Sequence, residues 1–467
     1  MTDYSHTPHN FNPSILREYD IRGIVDENIT DKDAFAIGCA FGTMVRRRGG
    51  KKVAVGYDGR ETSPLYADAV TQGLISVGID VTSVGLGPSP MLYFTVKSLK
   101  LDGGVMITGS HNPSNYNGFK LSFLNESVYG DLVQEVGRIA AKADYEDGIG
   151  SKTAIDISNA YIKRVLQDLD CDKEFTIVWD NGNGAAGNLL KRLTKEIPGT
   201  HHLLYEDVDA TFPNHHPDPT VDKNLADLID KVAQTNADFG IAFDGDADRI
   251  GVVNDKGEIL RCDILMALYA RDVLKTHPNA SIVGDIKCSK VMFDEIEKLG
   301  GNAVMWKTGH SLIKTKMAEL KAPLAGELSG HIFFADKYYG YDDALYCSIR
   351  LINAIAHSGK TLSEMTAHMP VLHSTPEIRF DVDEATKFEN IDTLVENVKQ
   401  TASDEIKVND IDGVRVSTAD GWWLVRASNT QNALTARAEA TSPQGLERLK
   451  TMIQDHVKRI GYSVPFE

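Results

Sequence analysis

The chain has no Cys-x-x-Cys pair. Its five cysteines (Cys39, Cys171, Cys262, Cys288 and Cys347) are scattered over 467 residues. That pattern fits buried thiols in a reducing compartment rather than a disulfide framework or a zinc site. No apolar run approaches the ~18 residues that a membrane span needs. The polar opening MTDYSHTPHNFNPS holds no apolar core of a secretory signal, so the expected location is cytoplasmic and the sequons at Asn28, Asn125 and Asn279 have no use. Positive charge is scarce too: 49 Lys and Arg against 66 Asp and Glu give a net charge of −17. This argues against nucleic acid or an anionic membrane as partner. With 42% hydrophobic and 25% charged residues, collagen, coiled coil and wholesale disorder are excluded. At about 100–200 residues per domain, the length predicts three or four domains.

What is present is alternation of short β-rich runs with helical patterns, the mark of an α/β chain. Val53–Tyr57 reads as a strand, followed by a helix with Ser63 as N-cap, Pro64 as first residue and Gly78 as stop. Phe175–Trp179 and Ser281–Gly284 open what read as second and third versions of this unit. In each, a further strand runs into a polar loop: Gly104–Ile107 into TGSHNP (108–113), Phe239–Phe243 into DGDADR (244–249), Pro323–Ala325 into GELSGH (326–331). Three diverged α/β units presenting loops at strand C-termini are predicted, since ligands of open α/β sheets sit there. The last hundred residues differ. A strand at Glu377–Val382, a helix from about Phe388, a turn at Ala419-Asp420-Gly421, the alternating LTARAEA at Leu434–Ala440 and a final helix begun by Ser442 and Pro443 predict an α+β fourth domain.

Asp244, Asp246 and Asp248 follow directly on an apolar strand. Three hard oxygen ligands in one turn suit Mg²⁺ or Ca²⁺, and without a cation the turn would repel itself. An EF-hand is excluded, because its sixth and twelfth positions are Arg249 and Asp255. Ser110-His111 is not the G-x-S-x-G elbow of hydrolases. Arg426-Ala427-Ser428-Asn429-Thr430, between two strands, offers a guanidinium, two hydroxyls and an amide as a phosphate cradle. A competing motif is the G-x-G-x-x-G of Gly182–Gly187 after FTIVW, with Glu206 or Asp207 where a ribose-binding acid belongs; it predicts an NAD-dependent dehydrogenase. Arg46-Arg47-Arg48 fits a solvated helix end, and the pairs His201-His202 and His215-His216 are not assigned a metal.

Taken together, these loops resemble the α-D-phosphohexomutase superfamily, most closely its bacterial phosphomannomutase/phosphoglucomutase branch. The carriers, in order, are REYDIRG (17–23), GYDGR (56–60), TGSHNP (108–113), NYNGFK (115–120), FPNHHPDP (212–219), DGDADR (244–249), KTGHS (307–311), GELSGH (326–331) and RASNT (426–430). The resemblance implies three related α/β domains with mixed sheets (1–153, 154–257 and 258–371) and a C-terminal α+β, TATA-binding-protein-like domain (372–467) around a central cleft. It implies a phosphoserine at Ser110 that interconverts hexose 1- and 6-phosphates, of mannose and of glucose, through a 1,6-bisphosphate. One Mg²⁺ would be held by Ser110, Asp244, Asp246 and Asp248, with glucose or mannose 1,6-bisphosphate as activator. Arg22, His111, Lys120 and Arg249 are the implied catalytic cations, and Lys120 or His331 the implied acid/base.

On the same grounds Glu327 and Ser329 would read sugar hydroxyls, and Arg426, Ser428, Asn429 and Thr430 the non-reacting phosphate. Tyr19, Lys287, Gly309 and His310 complete the implied substrate contacts. Glucose and mannose differ only at C2, so a site reading O3 and O4 is expected to accept both. An acidic chain that binds sugar phosphates is expected to make its cleft locally positive through Arg22, Lys120, Arg249 and Arg426.

Overall fold

The computed structural model describes residues 4–383, 386–402, 406–428 and 432–466. One four-strand pattern occurs in it three times. Lys52–Tyr57 pairs in parallel with Asp80–Leu86 on one side and Gly103–Ile107 on the other, and Tyr116–Phe123 runs antiparallel beyond the latter. Phe175–Asp180, Gly199–Leu204, Phe239–Phe243 and Ile250–Asn254 repeat this order and these directions. So do Ser281–Asp285, Asn302–Trp306, Leu324–Gly326 and Ile332–Phe334. Ile21–Ile24 and Lys152–Ala154 widen the first sheet to six strands, and Ile259–Leu260 the second to five. The three expected units therefore share one topology.

Gly103–Ile107 and Phe239–Phe243 are buried at every position, as apolar runs in sheets covered on both faces must be. Each polar loop joins the third strand of its unit to the antiparallel fourth. The helix after the first strand spans Ser63–Ser76, with Thr62 rather than Ser63 as N-cap. The reason is local: Ser63 Oγ donates to Asp58 Oδ1 (2.6 Å) and is not free to cap the helix.

In the fourth unit, His373–Ser374, Ile378–Asp381, Lys407–Asn409, Val414–Ser417, Gly421–Ala427 and Ala433–Ala440 form an antiparallel sheet. Helices Lys387–Thr401 and Pro443–Lys458 accompany it, the latter capped by Ser442, whose side chain accepts from Gly445 N. Alternation in Ala433–Ala440 does not mark a solvent face, because all eight residues are buried. Its polar residues dock on the third unit. Glu439 Oε1 accepts from Ser289 Oγ (2.8 Å) and Trp422 Nε1 (2.7 Å), and Arg437 donates to the Lys287 carbonyl. Arg415 donates to the Cys288 carbonyl (2.8 Å) with its guanidinium 3.6 Å from the Trp422 ring centre.

Apolar residues of the second and third units and of helix Ser89–Ser98 in the first merge into one core, which includes Phe94, Tyr161, Trp179, Phe243, Tyr269 and Tyr346. Burying each such side chain contributes about 1.5–3 kcal/mol. The sheets are thereby fixed against one another, and loops from different units can meet with defined geometry. All five cysteines are free thiols, and burial pushes Cys39 up to about 12. Among the described residues no helix is long and apolar enough to cross a membrane.

Candidate active site

Strand Gly103–Ile107 ends in the loop that carries Ser110, which is 2% exposed and has φ +49°. That left-handed conformation costs about 1–3 kcal/mol for a residue with a β-carbon. Arg60 offsets it. Its Nη atoms donate to the carbonyls of Ser110 (3.0 Å), Asn112 (2.7 Å), Pro113 (2.6 Å) and Tyr116 (2.9 Å). Hydrogen bonds from a charged donor contribute about 1.5–3 kcal/mol each, so the clamp outweighs the strain. Asp58 accepts from Gly109 N (3.0 Å) and from Arg60 Nε (3.1 Å). Neither Asp58 nor Arg60 is among the sequence-predicted site residues. Both lie in GYDGR (56–60), one of the motifs that carry the resemblance, which assigned them no role.

Ser110 Oγ donates to Asp244 Oδ2 (3.0 Å) and lies 3.2 Å from His111 Nδ1. The two loops touch: a β-carbon on Gly245 would lie 2.4 Å from the Ser110 carbonyl oxygen, so only glycine permits the approach. Asp244, Asp246 and Asp248 are all buried and offer one oxygen each within 4.8 Å of one another. Burial, then Asp248 and Asp246, push the Asp244 carboxyl well above the usual range. Asp246 Oδ1 and Asp248 Oδ1 are buried with no hydrogen-bond partner among the described residues. Crowded carboxylates with orphaned oxygens fit a hard divalent cation such as Mg²⁺.

Lys120 Nζ donates to Asp246 Oδ2 (2.7 Å) and Asp248 Oδ2 (2.5 Å). Burial alone would lower the lysine, but these two carboxylates overturn it and raise Lys120 well above its ordinary value. Arg22 is paired with Asp20 and Asn112, and its Nε is buried without a partner among the described residues. Burial, with Arg249 and Arg22, pushes His111 well below the ordinary imidazole range.

The second and third units meet through Arg249 and His331. Their backbones form an isolated antiparallel bridge, and Arg249 Nε donates to His331 Nε2 (3.0 Å). His331 Nδ1 lies 2.9 Å from Asp342 Oδ2, and Lys314 Nζ lies 3.3 Å from Asp342 Oδ1. Burial would raise Asp342, yet Lys314 and His331 hold it well below the usual carboxylate range. The rings of His310 and His331 stack at 5.3 Å, and Tyr19 meets His310 edge-on at 5.8 Å. Asp342, outside every polar loop picked out in the sequence, was not legible there.

A second cluster lies beyond these rings. Glu327 Oε1 accepts from Gly309 N (2.6 Å), and Tyr19 Oη donates to the Thr308 carbonyl (2.8 Å). Lys287 Nζ lies 3.2 Å from Glu377 Oε2. Arg426 Nε donates to Asp412 Oδ2 (2.9 Å), which also accepts from Thr308 N (3.0 Å), so the fourth unit is tied to the 307–311 loop. Ser329 is part-buried and Ser428 buried; Asn429 and Thr430 lie outside the described residues.

The glycines of Gly182–Gly187 have another use than a pyrophosphate cradle. A β-carbon on Gly184 would lie 2.9 Å from the Gly245 carbonyl oxygen, and one on Gly187 1.9 Å from that of Glu206. Ala185 N donates to the Gly245 carbonyl (2.8 Å). The loop buttresses the aspartate turn, and the dehydrogenase reading is withdrawn.

A buried serine beside a carboxylate triad, with Lys120 and Arg249 on the triad and Arg22 on the serine loop, is an arrangement suited to moving phosphoryl groups. Comparison with known proteins makes this specific. Models of the phosphoglucomutase/phosphomannomutase family match residues 13–144 (alpha/beta/alpha domain I), 159–257 (domain II), 261–372 (domain III) and 377–456 (C-terminal domain). The chain is 42% identical over 452 residues to a phosphomannomutase/phosphoglucomutase of Pseudomonas aeruginosa, covering 97% of both. It is 39% identical over 443 residues to a phosphoglucomutase of Neisseria meningitidis, covering 94% of this chain and 96% of that one. A crystal structure of a phosphoglucomutase/phosphomannomutase family protein from Burkholderia thailandensis matches with a TM-score of 0.92 at 39% identity, over 98% of this chain and all of the other. The chain belongs to the phosphoglucomutase/phosphomannomutase family, and it is a phosphohexomutase.

Proposed function

We propose that the enzyme interconverts the 1- and 6-phosphates of both mannose and glucose, with Ser110 as phosphoryl carrier. The observation that supports this best is the Ser110 hydroxyl, buried and 3.0 Å from Asp244 within the triad. The phosphoryl group leaves Ser110 Oγ as that O–P bond breaks and a new one forms to the free sugar hydroxyl, whose proton passes to a base. The resulting 1,6-bisphosphate turns end for end. Its other phosphoryl group then returns to Oγ, and the base gives its proton to the sugar oxygen left behind. Mg²⁺ held by Asp244, Asp246, Asp248 and Ser110 would stabilise charge on the transferring group.

His331 is the base in this reading. Lys120 donates to Asp246 and Asp248, and its part in this reading is to balance charge beside the phosphoryl group. Arg22, His111 and Arg249 line the same place. Glu327 and Ser329 read O3 and O4, leaving C2 unread, while Tyr19, Lys287, Gly309, His310, Arg426 and Ser428, with Asn429 and Thr430, hold the remainder of the substrate. The divisions 1–153, 154–257, 258–371 and 372–467, a cytoplasmic location and a 1,6-bisphosphate activator belong to the same proposal.

Purified enzyme with Mg²⁺ and a trace of glucose 1,6-bisphosphate is expected to convert glucose 1-phosphate and mannose 1-phosphate alike. Chelation should stop both reactions and added Mg²⁺ restore them. Turnover of one sugar only would remove the dual specificity; turnover of neither would end the proposal.

A further inference from the structure

We infer that Arg60 is a positioning residue that sets the rate of phosphoryl transfer at Ser110 without touching the substrate. The inference rests on Ser110 being the phosphoryl carrier. A guanidinium has five N–H donors in a fixed plane, and Arg60 spends all five inside the first unit. Nε reaches Asp58 Oδ2 (3.1 Å), one Nη the carbonyls of Pro113 (2.6 Å) and Tyr116 (2.9 Å), and the other those of Ser110 (3.0 Å) and Asn112 (2.7 Å). None remains for a phosphate. Arg22 differs, since its Nε is buried without a partner among the described residues and can still bind a ligand.

The loop is moulded on this side chain. A β-carbon at Gly109 would lie 2.3 Å from Arg60 Nε. The carbonyl of Ser110 turns to Arg60 while its Oγ turns to Asp244, and the left-handed φ of +49° lets it do both. Arg60 is itself 2% exposed, so these bonds are made out of contact with bulk solvent. Lysine offers three donors from a single point and cannot reach four carbonyls spread over seven residues. A nucleophile displaced by about 1 Å loses about 10²-fold in rate while binding survives.

The test uses the full-length enzyme and glucose 1-phosphate. Arg60→Ala and Arg60→Lys are expected to lower kcat by about 10²-fold with KM little changed, and to slow discharge of labelled phosphate from Ser110 in a single turnover. Free guanidinium should restore part of kcat in Arg60→Ala. Gly109→Ala, which keeps Arg60 but pushes it aside, should give the same kcat-selective loss and decides the matter if the Arg60 variants do not fold. An unchanged kcat, a KM that rises as far as kcat falls, or wild-type discharge of the phosphoserine would overturn the inference. A wild-type enzyme with no phosphate turning over on Ser110 would overturn the functional reading instead.

Discussion

Ser110→Ala is expected to lower kcat by about 10⁴-fold or more, the scale seen when a covalent carrier is removed, and to leave the peptide around residue 110 without phosphate. The fold should survive. Arg60 holds the loop by backbone carbonyls, and alanine keeps all four of those bonds. Only the hydroxyl contacts to Asp244 and His111 are lost. Asp244 then loses one hydrogen-bond donor but keeps the backbone N–H groups of Asp248 and Arg249 at 3.1 Å. Thermal unfolding close to wild type, with mass spectrometry showing phosphate on wild-type Ser110 only, is the expected pair of results. Appreciable turnover in the variant would mean that the phosphoryl group travels by another residue.

The three loops were legible because each is a polar segment released by a buried strand, a contrast that sequence displays directly. Their convergence was legible only through the family resemblance and not in the residues themselves, because it depends on how three sheets pack together. Arg60 and Asp342 act through partners that folding brings to them: Arg60 stands in GYDGR, a motif that carried the resemblance without suggesting a role, and Asp342 stands in no motif picked out in the sequence. The cations expected to make the cleft locally positive arrive with carboxylates: Arg22 with Asp20, Lys120 with Asp246 and Asp248, Arg426 with Asp412. In the fourth domain, alternation in Ala433–Ala440 identified the strand but not the burial of both its faces, because the partner of the polar face is the 286–289 loop of another unit.

His331→Ala is expected to lower kcat by about 10²–10⁴-fold, the range for a lost general base, with little change in KM. The geometry gives the reason. Arg249 Nε donates to Nε2, which therefore offers a lone pair, and Asp342 Oδ2 stands 2.9 Å from Nδ1 as a close charge contact. Asp342→Asn should give a smaller loss in the same parameter, because the ring remains while the carboxylate that stabilises its protonated form is gone. Lys120 variants do not discriminate between the candidate bases, since removing the ammonium leaves Asp246 and Asp248 uncompensated whatever its role in proton transfer. The decisive contrast is single-turnover transfer from phosphorylated Ser110 to the sugar. It should be slow in His331→Ala with normal substrate affinity, whereas wild-type transfer rates in that variant would return the proton to another group.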